Sequence, residues 1–124
     1  MISVDENQGF QVEAKEHWTI REAKKYIDQK HPVIVLLQAW ADRYMTLKDW
    51  RNDVDDGHYA VLIGYAKGVL LFEDPATFRM TWLREYEFLA RWHDLDRSRS
   101  KRYEQFGMVL LGREPMLQMA DHMD

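Results

Sequence analysis

The chain has 124 residues, 46% of them hydrophobic and 13% aromatic, which is enough for one domain with its own core and argues against a disordered chain. Its formal net charge of −4 makes it a poor candidate for binding the phosphate backbone of nucleic acid. It contains no cysteine, which excludes disulfides, thiolate metal sites and a cysteine nucleophile within these 124 residues.

The two ends of the chain differ in composition from the part between them. Residues 1–9 are polar and predict a flexible segment, residues 10–112 predict the domain, and residues 113–124 form a methionine-rich tail. No apolar run approaches the roughly 18 residues of a transmembrane helix, and residues 1–10 are too polar for a signal peptide. If Met1 is the natural start, we therefore expect a soluble, cytoplasmic protein that binds neither membrane nor nucleic acid.

The first half of the domain predicts a strand, a helix and a second strand. Residues 10–15 alternate apolar and polar side chains, the mark of a half-buried strand. Thr19 and Glu22 form a capping-box pattern, which predicts a helix that runs to about residue 29. Residues 33–40 form a nearly continuous apolar run, typical of a central strand that is buried on both faces.

The second half of the domain is organised around a hairpin at its centre. In chain order it predicts a long polar loop (41–57), the hairpin strands (59–65 and 69–72), a short strand (78–82), a helix (83–92), a charged loop (94–102) and a last strand (105–112). These elements predict an α+β fold, with a mainly antiparallel sheet and two flanking helices.

The hairpin brings a histidine and an aspartate to the same face. A three-residue loop that ends at Gly68 places a left-handed residue at its third position and sets Asp74 opposite Ala60. His58 then lies two residues from Ala60 on the same face, roughly 7–8 Å from Asp74 before small side-chain adjustments. A two-residue turn would shift the parity and send Asp74 to the other face. The pairing is therefore predicted to depend on Gly68.

His58 and Asp74 are the leading candidates for chemistry. A carboxylate on one ring nitrogen fixes the histidine tautomer and leaves the other nitrogen free to take a proton from a nucleophile. The alternative is a histidine satisfied at a strand edge and an aspartate that opens a turn, and spacing alone favours this alternative. Gln38 and Tyr59 are candidate supporting residues: Gln38 would bond His58, a substrate or a structural partner, and Tyr59 belongs to a group of aromatic residues near the hairpin.

Three other polar clusters are weaker candidates for a site. Residues 52–57 superficially suggest calcium, but Val54 breaks the alternation of oxygen ligands and Ile63 stands where a calcium loop needs glutamate. Residues 93–96 lack a third and fourth metal ligand, and the basic run 97–102 is typical of a solvated loop. We therefore expect no metal and no cofactor.

Several motifs together resemble a known peptidase family. They are HPVIVLLQAW, DWRNDVDDGHY, AVLIGY, FEDPAT and FLARWHD. They resemble the C-terminal half of the bacteriocin-leader-processing (double-glycine) peptidase-like group of the papain-like cysteine peptidases, over roughly residues 10–96. In that family cysteine, histidine and aspartate follow one another along the chain. The resemblance implies that His58 is the base and Asp74 its orienting group. With the resemblance included, a triad-type site is favoured over a histidine that is merely satisfied at a strand edge.

The chain also departs from the family pattern. The family's cysteine begins a helix well upstream of the histidine, after a glutamine of the oxyanion hole, and the chain has neither, so the nucleophile would lie ahead of Met1. Ser3, Ser98 and Ser100 stand in no matching motif. We expect that the chain as written is not an active cysteine peptidase, because a histidine–aspartate pair without its nucleophile retains little of triad catalysis.

Three interpretations follow from the match and the departure. The first is the histidine–aspartate half of a peptidase-like domain. The second is a non-catalytic module that binds a peptide or another protein, and the third is a hydrolase that uses His58 and Asp74 on water or a metal. Under the first two, the missing helix leaves an apolar patch of the sheet exposed. We therefore expect a homo-oligomer, or a partner segment that covers the patch.

Overall fold

The structure is a computed structural model that describes residues 10–75 and 78–112. The elements in chain order are β1 (Phe10–Lys15), α1 (Ile20–Asp28), β2 (Val33–Gln38), α2 (Leu47–Asn52), β3 (Gly57–Ala66), β4 (Val69–Asp74), β5 (Arg79–Arg84), α3 (Glu85–Arg91), β6 (His93–Leu95), β7 (Arg102–Glu104) and β8 (Gly107–Gly112). The predicted flexible segment 1–9 and the tail 113–124 lie outside the described residues.

The described strands form two sheets. Six of them make an antiparallel sheet in the order β1-β8-β2-β3-β4-β5, and β6 pairs with β7 in a separate two-stranded hairpin. The α+β fold with a mainly antiparallel sheet is therefore confirmed. β2 lies inside the sheet between β8 and β3, as its continuous apolar run predicts.

The predicted start of α1 is confirmed in detail. The Thr19 side chain accepts a hydrogen bond from the Glu22 backbone N–H at 3.0 Å, and the Glu22 carboxylate accepts one from the Thr19 N–H at 3.0 Å. Just before the cap, the fully buried Trp18 donates its indole N–H to the Gly107 carbonyl at 3.1 Å. This bond ties the beginning of α1 to β8.

One face of the large sheet forms the core, against α1 and α3. Its buried members are Trp18, Ala23, Val33, Val35, Leu37, Ala60, Leu62, Leu70, Phe72, Phe88, Trp92 and Val109. Phe88 of α3 packs between Phe72 and Trp92, with ring centroids 5.3 Å and 4.4 Å apart. His58 and Asp74 lie on this same face of β3 and β4, because they alternate in step with Ala60 and Phe72.

Two predicted elements around the hairpin need correction. The strand predicted for 33–40 ends at Gln38, because Trp40 has a left-handed backbone (φ 62°) that no strand accommodates. The loop predicted for 41–57 contains α2, which begins with a second capping box formed by Thr46 and Asp49. α2 has six residues and buries none of them, so the apolar periodicity that reveals a helix is absent.

Two further predictions differ near the end of the chain. The helix predicted for 83–92 begins at Glu85. Of the large apolar residues in that range, Phe88 and Trp92 are buried, whereas Tyr86 and Leu89 are more than half exposed. The charged loop predicted for 94–102 contributes to the β6–β7 hairpin. That hairpin is short and polar, and its pairing depends on contacts with residues far away in the sequence.

The central hairpin has the predicted pairing at Asp74, but its turn length differs from the predicted one. Its turn has two residues rather than three, since Ala66 pairs directly with Val69. The register then shifts by one residue between Leu62 and Gly64, so that Val61 pairs with Glu73. One step further, the same register sets Asp74 opposite Ala60, as predicted. A bulge in β3, and not the loop length, therefore restores the parity.

Candidate functional site

His58 and Asp74 contact each other at the ends of two neighbouring strands. His58 is the second residue of β3 and Asp74 the last of β4, and His58 Nε2 lies 2.8 Å from Asp74 Oδ2. The Asp74 residue is 3% exposed, whereas 24% of the His58 side chain is exposed. The aspartate is thus buried behind a histidine that reaches solvent.

The contact decides which ring nitrogen is available for chemistry. A carboxylate only accepts hydrogen bonds, so Nε2 carries the proton that it donates to Asp74. In the neutral ring Nδ1 then keeps its lone pair, and among the described residues it has no hydrogen-bond partner. His58 is therefore arranged to accept a proton at Nδ1 while Asp74 holds the ring.

Trp40, one of the aromatic residues expected near the hairpin, is a third member of the site, and its contact with Asp74 is not predicted by the sequence. Its indole N–H donates to Asp74 Oδ2 at 3.2 Å, beside the His58 contact. The left-handed backbone of Trp40 turns the chain out of β2 and brings the ring back over the end of β4. A positive φ at tryptophan has no signature in a single sequence, which predicts Trp40 as part of the strand.

A pocket of about 180 Å³ opens beside this group. Leu37, Ala60 and Phe72 give it apolar walls, and Asp74 and His58 line it together with residues of β5 and α3. Arg91, near the end of α3, also lines the pocket. The candidate base therefore faces a cavity large enough for a side chain of a ligand.

The two predicted supporting residues do not join His58. Gln38 is fully buried, and its amide donates to the His93 carbonyl at 2.9 Å and to Asp94 Oδ1 at 2.8 Å. Its amide oxygen accepts a hydrogen bond from the Asp56 backbone N–H at 2.8 Å. Of the three partners considered for Gln38, the structure therefore shows a structural one. Tyr59 follows His58 in β3 and therefore projects from the opposite face, where half of it is exposed.

His93 and Asp96, which belong to the weaker candidate clusters, form hydrogen bonds within the fold. His93 is buried and its Nε2 lies 2.7 Å from the Asp53 carbonyl, to which it donates. Loss of hydration on burial lowers the pKa of His93 below its ordinary value, with a smaller opposing effect of the Asp53 carbonyl. Asp96 accepts hydrogen bonds within its own turn from Ser98 and Ser100. In the described ranges no group of three or more histidine or acidic side chains is arranged to hold a metal ion.

The α+β fold and the contact between His58 and Asp74 agree with the peptidase resemblance read from the motifs. The chain belongs to the Peptidase_C39 like family, whose model matches residues 3–107 of the 124. The resemblance read from the motifs is thereby confirmed.

A solved structure shares this fold. It is the crystal structure of a protein from Bacillus anthracis that is provisionally described as a C39-like peptidase, with a TM-score of 0.57 and 17% sequence identity. The match covers 88% of this chain and 55% of the relative, so the chain spans about half of the relative's length. No curated protein matches the chain. Within the described part of the chain, no helix has the length and apolar character needed to cross a membrane.

Proposed function

We propose that the chain carries the histidine–aspartate part of a papain-like peptidase site and that these 124 residues do not hydrolyse peptides by themselves. The observation that supports the proposal is the 2.8 Å contact between His58 Nε2 and Asp74 Oδ2. It leaves Nδ1 on the side of the ring that remains available for a nucleophile. The family's nucleophile is a thiol, and the chain contains no cysteine.

The roles of the two residues follow from this geometry. A thiol supplied by another segment would give its proton to His58 Nδ1 and attack the peptide carbonyl carbon as a thiolate. The buried Asp74 would stabilise the imidazolium that forms, and His58 would then protonate the leaving amine. The serines of the β6–β7 turn do not replace the thiol, because Ser98 and Ser100 are bonded to Asp96 and to each other.

The first experiment measures peptide hydrolysis by the purified chain, with a fluorescence-quenched peptide library as substrate. We expect no turnover above background. Turnover that His58→Ala abolishes would instead support the third interpretation, a hydrolase that acts through water or a metal, and would overturn the proposal.

The second experiment supplies the nucleophile. The natural gene and its neighbours are searched for a segment in which glutamine precedes cysteine, and that segment is produced together with the chain. We expect peptidase activity that falls by at least about 10³-fold in His58→Ala. His31→Ala is the matched control, because His31 lies outside the pocket, and it should keep the activity. Activity that survives His58→Ala contradicts the proposed roles.

A binding module is the second candidate function, and the pocket is the observation that favours it. A cavity with apolar walls next to a buried polar group suits recognition of a peptide side chain whether or not a bond is broken. The two candidates differ in turnover, whereas both require a peptide in the same pocket.

A further inference from the structure

Arg91 is a cation held in place beside the pocket, and no carboxylate of the described residues forms an ion pair with it. It is half-buried at the end of α3 and lines the same pocket as His58. Its Nε–H donates to the Gln38 carbonyl at 3.0 Å, and its guanidinium lies 3.8 Å from the centre of the Trp50 ring. Two independent contacts from different elements therefore fix the orientation of the guanidinium.

The two Nη groups of the guanidinium have no hydrogen-bond partner among the described residues. An arginine has five N–H donors, and only the Nε–H of Arg91 has a hydrogen-bond partner among the described residues. No acidic side chain in the described ranges forms an ion pair with it. Partial loss of hydration lowers the pKa of Arg91, and the charge of Glu87, one turn earlier on α3, opposes this with a smaller effect. A buried charge normally has a partner, because the loss of hydration is expensive without one.

We propose that the pocket binds a peptide through a carboxylate that Arg91 holds, with an apolar side chain of that peptide against Leu37 and Phe72. The two Nη groups present parallel N–H donors, which match the two oxygens of one carboxylate. This inference rests on the peptide-directed site proposed above and specifies its ligand.

The size and walls of the pocket agree with this ligand. An apolar cavity of about 150 Å³ holds a benzene ring, so about 180 Å³ accommodates one side chain of the size of leucine or phenylalanine. A doubly charged phosphate fits poorly, because the pocket offers one guanidinium and Asp74 adds negative charge to its lining. The carboxylate is either the C-terminus of the peptide or an acidic side chain, and peptides that differ in this respect distinguish the two.

Calorimetric titration with short peptides tests the proposal on the 124-residue chain. The probes are N-acetyl-Ala-Ala-Phe as the free acid, the same peptide as its C-terminal amide, and N-acetyl-Ala-Phe-Glu amide. We expect at least one of the two carboxylate-bearing peptides to bind about 10- to 100-fold more tightly than the neutral amide. The tighter of the two identifies the source of the carboxylate.

Variants assign the effect to Arg91. Arg91→Gln keeps a donor for the Gln38 carbonyl but not the charge, and it should bind all three peptides equally. Arg91→Lys keeps the charge without the paired donors and should recover part of the preference. Arg21→Gln, an exposed site on α1, is the matched control and should bind as the wild type does. Circular dichroism verifies that each variant is folded.

A further variant leaves Arg91 untouched and fills the pocket. Thr81 lines the pocket from the edge strand β5, and Thr81→Phe should weaken binding of every probe at least tenfold. Equal binding of the acid and the amides by the wild type, absence of any binding, or an unchanged preference in Arg91→Gln would overturn the proposal. The assay involves no turnover, so these outcomes are independent of the peptidase experiments.

Discussion

The buried carboxylate of Asp74 is the residue on which the candidate site depends. A buried ionised group is expensive unless hydrogen bonds compensate it, and Asp74 accepts one from His58 and one from Trp40. The sequence predicts the histidine contact from a three-residue loop, and the contact forms although the turn has two residues, because the bulge in β3 compensates for the shorter turn. It does not predict the tryptophan contact, which depends on one unusual backbone angle.

Replacing Trp40 by phenylalanine tests the contribution of the indole hydrogen bond. Trp40→Phe removes the donor to Asp74 Oδ2 and should lower the free energy of unfolding by about 1 kcal/mol, measured by urea denaturation. Trp82→Phe is the control: Trp40 is 56% exposed and Trp82 is 55% exposed. The control should change stability by less than about 0.5 kcal/mol. Equal losses in the two variants would show that ring size, and not the hydrogen bond, matters.

His93 gives the stability of the fold a dependence on pH. Burial lowers its pKa in the folded chain, so the unfolded chain binds a proton more readily as the pH falls. The stability contributed by neutral His93 is therefore complete above its ordinary pKa of about 6.5 and is lost as the pH falls through the lowered folded value. One proton limits the slope to about 1.4 kcal/mol per pH unit.

The measurement compares urea midpoints between pH 7.5 and pH 5 in the wild type and in His93→Gln. Glutamine retains a donor for the Asp53 carbonyl but does not titrate, so the variant should lose less stability on acidification. His31→Gln serves as the control and should follow the wild type. An identical pH response in His93→Gln would exclude His93 as the source.

Individual elements were predictable where their signal is local. The capping box of α1 and the alternation of β1 involve neighbours in sequence, and both elements are found where the sequence predicts them. α2 and the β6–β7 hairpin were missed because they are short and are stabilised by distant residues, such as the β6 contacts of Gln38. The bulge in β3 belongs to the same group, since no residue type marks it.

Gly68 has the left-handed backbone that the sequence predicts, although in a two-residue turn rather than a three-residue loop. It has φ 73° in the two-residue turn, and no neighbouring side chain or backbone lies within 4 Å of where a Cβ would stand. Gly68→Ala should therefore cost about 1 kcal/mol from backbone strain alone. Gly64→Ala, next to the bulge, is the control, because its Cβ would meet only ordinary contacts with Leu71 and its φ is not positive. Thermal unfolding of both variants measures the difference, and a neutral Gly68→Ala would contradict the strain argument.

At the scale of the whole molecule, the two faces of the sheet differ in the elements that pack against them. The core face packs against α1 and α3, whereas on the opposite face, among the described residues, β6 contacts β2 at Gln38. The fold class followed from the order of elements, because a central hairpin forces antiparallel pairing.

The edge strand β5 exposes two large apolar side chains to solvent. Met80 is 64% exposed and Trp82 is 55% exposed, and β5 ends the sheet formed by the described strands. An edge strand with exposed apolar side chains is a template for association. We expect the chain to self-associate at micromolar concentration, and Met80→Lys to shift it towards the monomer by placing a charge on the contact surface. Gln29→Lys adds the same charge at the end of α1 and should leave association unchanged. Sedimentation velocity measures the association of the wild type and of both variants. A wild type that sediments as a monomer up to about 100 μM, far above a micromolar dissociation constant, would contradict self-association.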